Sequence, residues 1–214
     1  DKLEDIKFSS IAWFKDGFFY SRFDRPADGK DLSGKNSFGK LYYHKLGTAQ
    51  TKDELVYEDK KNPSYLFGAE VTDDEQYLII TVSESTNGNQ FYFKNLGNKK
   101  GKLVKVVTDF DHNFSLVDVI DGRMLVLTDY KAPKYQLVSI DVNNPSVENW
   151  QTVIPESKDL MQSIHLINNS MVASYLSDVK SVLKSYDLSG KYLSDIEKFS
   201  VLFIELNAAA KVFK

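Results

Sequence analysis

Apolar runs broken by short polar turns recur four times along this chain, each time in the same order: an apolar run, a tight turn, a second apolar run, then two shorter strands rich in Tyr, Leu and Val. The first set reads SSIAWFKDGFFYSRFD, KLYYHKLG and ELVYE, and the second GAEVTDDEQYLIITVSES, QFYFKNLG and KLVKVVTD. The third reads SLVDVIDGRMLVLTDY, KYQLVSIDV and WQTVIPE, and the fourth SIHLINNSMVASYLSDV, SVLKSYDLSG and KYLSDIE. The opening turns at Asp16-Gly17, Asp74-Glu75, Asp121-Gly122 and Asn168-Asn169 step by 58, 47 and 47 residues on subtraction of their positions. A second landmark, Leu46, Leu96, Val142 and Leu188 near the ends of the third strands, steps by 50, 46 and 46.

A period of roughly 40 to 50 residues with four strands per unit is the signature of β-propeller blades. The spacing therefore predicts an all-β chain of about four consecutive four-stranded antiparallel blades, at approximately 1–60, 61–110, 111–157 and 158–197. Turn chemistry supports the strands, because both residues of a tight hairpin turn need positive φ, which Gly, Asp and Asn tolerate best. Pro26, Pro63, Pro133, Pro145 and Pro155 all fall between or at the edges of the runs, where a missing N–H costs no ladder bond. Sustained helical spacing is absent except in the tail after Phe199.

Composition refines this picture little: 214 residues, 42% hydrophobic, formal net charge -3. So mild a charge does not argue for nucleic acid, and the Lys99-Lys100-Gly101-Lys102 run reads as a solvated loop. Absence of cysteine removes disulfides, thiolate zinc sites and a Cys nucleophile, and leaves cytoplasm and periplasm equally open. The longest apolar runs, such as Tyr77 to Val82, fall far short of the roughly 18 residues of a membrane helix. The first residues read as a charged, strand-like segment without signal-peptide character, which makes Asp1 an interior start.

Reaction chemistry is not visible. The strained G-x-S-x-G elbow that lifts a nucleophilic serine above a sheet does not occur. His44, His112 and His165 belong to different repeats, which argues against a three-histidine metal site and for structural or surface histidines. Asp73-Asp74, and Asp109 with Asp111, lie at turns, where their side chains cap backbone N–H groups. GNKKGK lacks the spacing and the following helix of a phosphate-cradling loop. No catalytic residue, metal ligand or cofactor is expected in this chain.

Particular segments go further. KFSSIAWFKDGFFYSRFD, GKLYYHKLGT, GAEVTDDEQYLIITVSE, APKYQLVSIDVNNPSVENWQTVIPE and SYLSDVKSVLKSYDLSG resemble, in order, successive stretches of the β-propeller domain of the prolyl oligopeptidase family of serine peptidases. The resemblance covers nearly everything from Ile6 to about Glu197. It implies about four blades of a seven-bladed propeller. The parent would be an enzyme that cuts short peptides after proline, with its Ser, Asp and His on an α/β-hydrolase domain that this chain does not contain. The propeller would then gate access to that domain, its main partner, while short proline-containing peptides are the substrate.

The resemblance also assigns substrate contacts: Phe8, from the family's KFS segment, and Leu66, just before its GGAE-type segment. Two further positions, where the family often carries an Arg and a Cys, read Ser83 and Thr86 here. For Phe8 the competing reading is a core side chain on an innermost strand, and for Leu66 a structural role is the reading favoured over contact. The tail 198–214 departs from the family's words; its Asn207 to Lys214 stretch reads as weakly helical, and an altered, frame-shifted or vector-derived end would account for it. Open faces on the terminal blades, with no evident cap, predict marginal stability or self-association. A different class of function, a free-standing propeller used as a binding scaffold, stays open because fold alone does not decide function.

Overall fold

The computed structural model describes residues 1–24, 36–98 and 101–196. Four four-stranded antiparallel sheets account for the regular structure, and the only helical pieces among the described residues are 3-10 turns at Gln50–Lys52 and Val147–Asn149. The first sheet pairs β1 (Ala12–Phe14), β2 (Gly17–Arg22), β3 (Lys40–Lys45) and β4 (Glu54–Glu58) in chain order. The second pairs β5 (Leu66–Val71), β6 (Tyr77–Ser83), β7 (Gln90–Asn95) and β8 (Val104–Val107). The third holds β9 (Phe114–Ile120), β10 (Arg123–Thr128), β11 (Gln136–Asp141) and β12 (Gln151–Ile154), and the fourth β13 (Leu160–Ile167), β14 (Ser170–Ser177), β15 (Lys180–Asp187) and β16 (Tyr192–Ile196). Each sheet is thus the four-stranded meander of a propeller blade, as the repeat predicts.

The chain divides into two compact units, residues 1–114 and 115–214. In the first, period-two alternation sends Phe19 and Leu41 of blade 1 against Phe67, Leu78, Ile80, Val82 and Tyr92 of blade 2. Burying each such side chain contributes about 1.5–3 kcal/mol, so this interface dominates the stability of the unit. In the second, Leu125, Leu127, Leu137 and Ile154 of blade 3 meet Met161, Ile164, Met171, Ala173 and Tyr175 of blade 4. The Tyr175 and Tyr186 hydroxyls, both buried there, satisfy each other at 2.8 Å.

Two hairpins differ from the sequence reading. The first turn is centred on Lys15-Asp16, because Phe14 pairs with Gly17, and Lys15 carries the positive φ of 50°. Gly17 is needed for another reason: a Cβ there would stand 2.0 Å from the His44 carbonyl oxygen of the neighbouring strand. In blade 2 the opening connection is a longer loop, Thr72 to Gln76. The Thr72 hydroxyl donates to Asp74 (2.6 Å) and accepts from the Tyr77 N–H (3.0 Å), while Asp74 also accepts from the Gln76 N–H (3.0 Å). Asp121-Gly122 adopts left-handed conformations at both residues, as expected.

Candidate functional site

The residues singled out as peptide contacts gather at one end of the first unit. Phe8 lies just before β1 with φ of 56°, and its ring is 78% exposed, which removes it from the core. The next residue, Ser9, accepts the Ser21 N–H with its Oγ (2.8 Å), and the Ser21 hydroxyl donates to the Phe67 carbonyl (2.5 Å). These two bonds tie the Phe8 segment to the end of β2 and to the start of β5. Leu66, half-buried, opens β5 and stands directly opposite Ser83, the last residue of β6. Thr86 is exposed in the β6–β7 loop that follows.

That loop is anchored. The Gly88 N–H donates to Asn113 Oδ1 (3.1 Å), the Asn89 N–H to the His112 carbonyl (2.9 Å), and Asn89 Oδ1 accepts from the Phe114 N–H (2.8 Å). Gly88 has φ of 71°, and a Cβ on it would lie 1.8 Å from the Phe110 carbonyl oxygen, so no other residue fits without moving the loop. The same end of the unit holds a polar cleft of about 370 Å³ lined by Asp24, Phe38, Gly39, Lys40, Glu58, Asp59 and Lys60. Lys40 pairs with Asp24 at 2.5 Å, and Lys60 with Glu58 at 3.2 Å. Burial works to raise the Asp59 pKa, yet hydrogen bonds from the Asn62 side chain and from the Lys61 and Asn62 N–H groups bring it below the usual carboxylate value.

Toward the opposite end of blade 1 lies a polar network that sequence reading missed. His44, fully buried on β3, directs Nδ1 at Asp53 Oδ1 (2.7 Å) and Nε2 at Asp1 Oδ2 (3.2 Å). Asp53 accepts the Tyr20 hydroxyl on its other oxygen (2.5 Å), and Gln50 Nε2 donates to the Tyr20 oxygen (3.1 Å). Burial, followed by the bond to Asp53, pushes the Tyr20 phenol well above its ordinary value. Alternation places Tyr20 and His44 on one face of neighbouring strands, which is legible in the sequence. Asp53 and Asp1, from a turn and from the N-terminal segment, are brought in only by the fold.

His165 is exposed on β13, and no group of three or more His, Cys, Asp or Glu among the described residues could hold a metal ion. Asp74 and Asp109 accept backbone N–H groups within their turns.

Comparison with known proteins bears on this arrangement. The family described as "Prolyl oligopeptidase, N-terminal beta-propeller domain" matches residues 1–211. The segment read as a departing tail, 198–214, lies outside the described residues, and the family match extends into it. The chain is 39% identical over 198 residues to a prolyl endopeptidase of Elizabethkingia meningoseptica, covering 92% of this chain and 28% of the relative. It is 32% identical over 209 residues to prolyl oligopeptidase A of Amanita bisporigera, covering 90% and 27%. Among solved structures, prolyl oligopeptidase B from Galerina marginata bound to a 35mer hydrolysis and macrocyclization substrate superposes with a TM-score of 0.82 at 26% identity, over 90% of this chain and 28% of that one. The chain therefore spans little more than a quarter of the length of the relatives it matches.

Proposed function

Because the chain belongs to the family of prolyl oligopeptidase N-terminal β-propeller domains, we propose that it is the substrate-gating propeller part of a proline-specific serine endopeptidase that cleaves short peptides. The blades, at about 1–60, 61–110, 111–157 and 158–197, wall the approach to a separate α/β-hydrolase domain that supplies the Ser, Asp and His. Shielding of the reaction from water and exclusion of folded proteins follow from such a wall. Phe8, Leu66, Ser83 and Thr86 are the propeller's contacts to the peptide. The observation that supports this reading is their convergence: four residues from three segments lie at one end of the unit, with Phe8 projecting into solvent on a firmly tied backbone.

The test uses the full reading frame that carries this segment. It is expected to cleave Gly-Pro chromogenic peptides and to be blocked by a serine-directed phosphonate. Replacement of Phe8 with Ala should raise KM about tenfold, which corresponds to loss of about 1.4 kcal/mol of contact. A full-length protein without peptidase activity would overturn the reading. The chain expressed alone is expected to be inactive.

Self-association is part of the same proposal. On the face of blade 1 turned away from blade 2, Trp13 is 60% and Leu55 44% exposed, with Trp13 stacked edge-on against Phe18 at 5.2 Å. An apolar face of this kind calls for cover. Light scattering on the isolated chain should show association, and a monodisperse monomer at high concentration would count against it.

A further inference from the structure

Two phenylalanines of the first unit stand apart from the others. Among the described phenylalanines only Phe8 and Phe38 are exposed, at 78% and 40%, and both hold left-handed backbone, with φ of 56° and 54°. Trp13, Phe14 and Phe110 each pack against another ring, at 5.2, 5.8 and 5.2 Å, whereas Phe8 and Phe38 stack on no ring of the described residues. A left-handed conformation strains any residue that carries a Cβ, and a ring left in water contributes little burial to offset that cost. Strain that the fold maintains without such a return is typical of binding positions.

Contacts on both sides fix Phe38 in place. Its N–H donates to the Pro63 carbonyl (2.9 Å), and the following Gly39 is buried so near blade 2 that a Cβ on it would stand 3.0 Å from the Tyr65 carbonyl oxygen. On the other side Lys7 Nζ, beside Phe8, donates to Asn36 Oδ1 at 3.0 Å. Phe38 therefore lies between the Phe8 segment and Leu66, the residue after Tyr65. From this placement, and resting on the gating function proposed above, we infer that Phe38 is a further specificity-determining contact, which receives an apolar side chain of the peptide at a distance from the cleaved bond.

Sheet geometry sets that distance. Phe8 precedes β1 and Phe38 precedes β3, two strands away in the same sheet. Neighbouring strands lie about 4.8 Å apart, so the two positions are offset by about 10 Å, or about three residues of an extended peptide. The polar cleft that Phe38 lines has its charges matched from within: Lys40 with Asp24, Lys60 with Glu58, and Asp59 with the Asn62 side chain and the Lys61 and Asn62 N–H groups. A charged peptide side chain gains little there. The ring is the element left to bind, and a rigid aromatic face gives aliphatic and proline side chains much contact area for little lost rotamer freedom. Packing of the same ring against the catalytic domain would also leave it exposed in this chain, and kinetics separate the two occupants.

The test compares two substrates of the full-length protein: a Gly-Pro chromogenic peptide, and a peptide extended by about four apolar residues on each side of the proline, enough to span the offset. Phe38→Ala should raise KM about fivefold for the extended peptide, leave its kcat within about twofold, and change KM for the short one by less than about twofold. Phe38→Tyr, which keeps the ring, should retain the unaltered KM. Phe38→Gly suits the left-handed backbone, so it should fold as stably as the unaltered protein and still show the raised KM, which a purely structural role would not produce. An unmoved KM in both the Ala and Gly variants would overturn the contact. So would equal losses on the two peptides or a fall in kcat, which would set the ring against the catalytic domain, and so would a Tyr variant no better than Ala. Absence of any peptidase activity from the unaltered protein would instead overturn the gating function, and this contact with it, so the two failures are told apart.

Discussion

The two units are built from the same pair of meanders and filled by different chemistry. Residues 1–114 pack Phe19, Phe67 and Tyr92 between their blades and carry the buried Tyr20–Asp53–His44 network on the outer face of blade 1. Residues 115–214 fill the corresponding space with Leu125, Leu127, Leu137, Met161 and Met171, and their two buried phenols answer each other. Large rings supply much area but bring polar tips that need partners, whereas Leu and Met fill space without that obligation. The comparison teaches that a repeat can hold its strands constant while its core composition moves, and that a polar network appears where aromatic and histidine side chains were chosen.

Substitutions in the two cores should break the comparison most strongly. Ile80→Ala in the first unit and Met171→Ala in the second, both fully buried, should each cost about 2–5 kcal/mol. Trp13 and Trp150 lie one in each unit, so single-tryptophan versions report them separately in urea melts. Each substitution is expected to shift its own unit's midpoint and leave the other nearly in place; equal shifts would mean that the two unfold as one.

Asp53→Asn comes next. It removes a charged acceptor from His44 and Tyr20 while leaving both buried, and should cost about 1–3 kcal/mol in the Trp13 signal alone. The second unit contains no counterpart among its described residues that this change could reach.

Alkaline pH sharpens the same contrast with a smaller effect. Burial raises Tyr20, Tyr92 and Tyr175 above the ordinary phenol value of 10.0, with the Asp53 bond, neighbouring Tyr57 and the Tyr186 bond adding respectively. Tyr43 is pushed up to about 12, chiefly by burial and then by Asp16. A raised value means that folding favours the neutral phenol, so this contribution is intact below the unfolded value and declines as pH climbs past it. Burial also raises Tyr65 in the first unit and the exposed Tyr192 in the second, so with four such groups against two the first unit should lose stability more steeply above about pH 10 in urea melts followed by the two tryptophans. A steeper loss at Trp150 would reverse the expectation.

The smallest effect lies at the tip of the β14–β15 hairpin. Asp178 and Val179 both adopt left-handed conformations there, with φ of 44° and 64°, and Val179 is 94% exposed. A β-branched residue in that region is strained by about 1–2 kcal/mol, and it buries nothing in return. Val179→Gly should therefore stabilise the second unit by about 1 kcal/mol, after the entropy that glycine adds to the unfolded chain, read as a higher urea midpoint at Trp150.

The sixteen strands among the described residues are legible because each blade repeats a pattern that needs only local information: apolar runs, turn residues and a constant period. The turn of blade 1 was misplaced by one residue because Asp-Gly looks like a hairpin centre, while Gly17 is in fact demanded by the close approach of the His44 carbonyl. The Asp178-Val179 turn falls where the fourth set breaks between SYLSDV and SVLKSYDLSG, but a β-branched Val gives no sign of the left-handed conformation it adopts there. The resemblance names Phe8, Leu66, Ser83 and Thr86, but their placement at one end of the first unit depends on bonds such as Ser21 to Phe67 that join positions 46 apart.

By itself the sequence determined the class of fold, the number of blades and the order of their strands, since those follow from spacing and side-chain shape along the chain. Tertiary structure alone decided which polar residues meet inside. Alternation puts His44 on one face of β3 with Tyr20 across from it, but nothing in the local surroundings of Asp1 and Asp53, from a segment and a turn, distinguishes them from surface residues. Only the folded chain sets two carboxylates against one buried imidazole, Asp53 at 2.7 Å and Asp1 at 3.2 Å, because contacts between positions far apart in sequence are made by packing and not by local pattern.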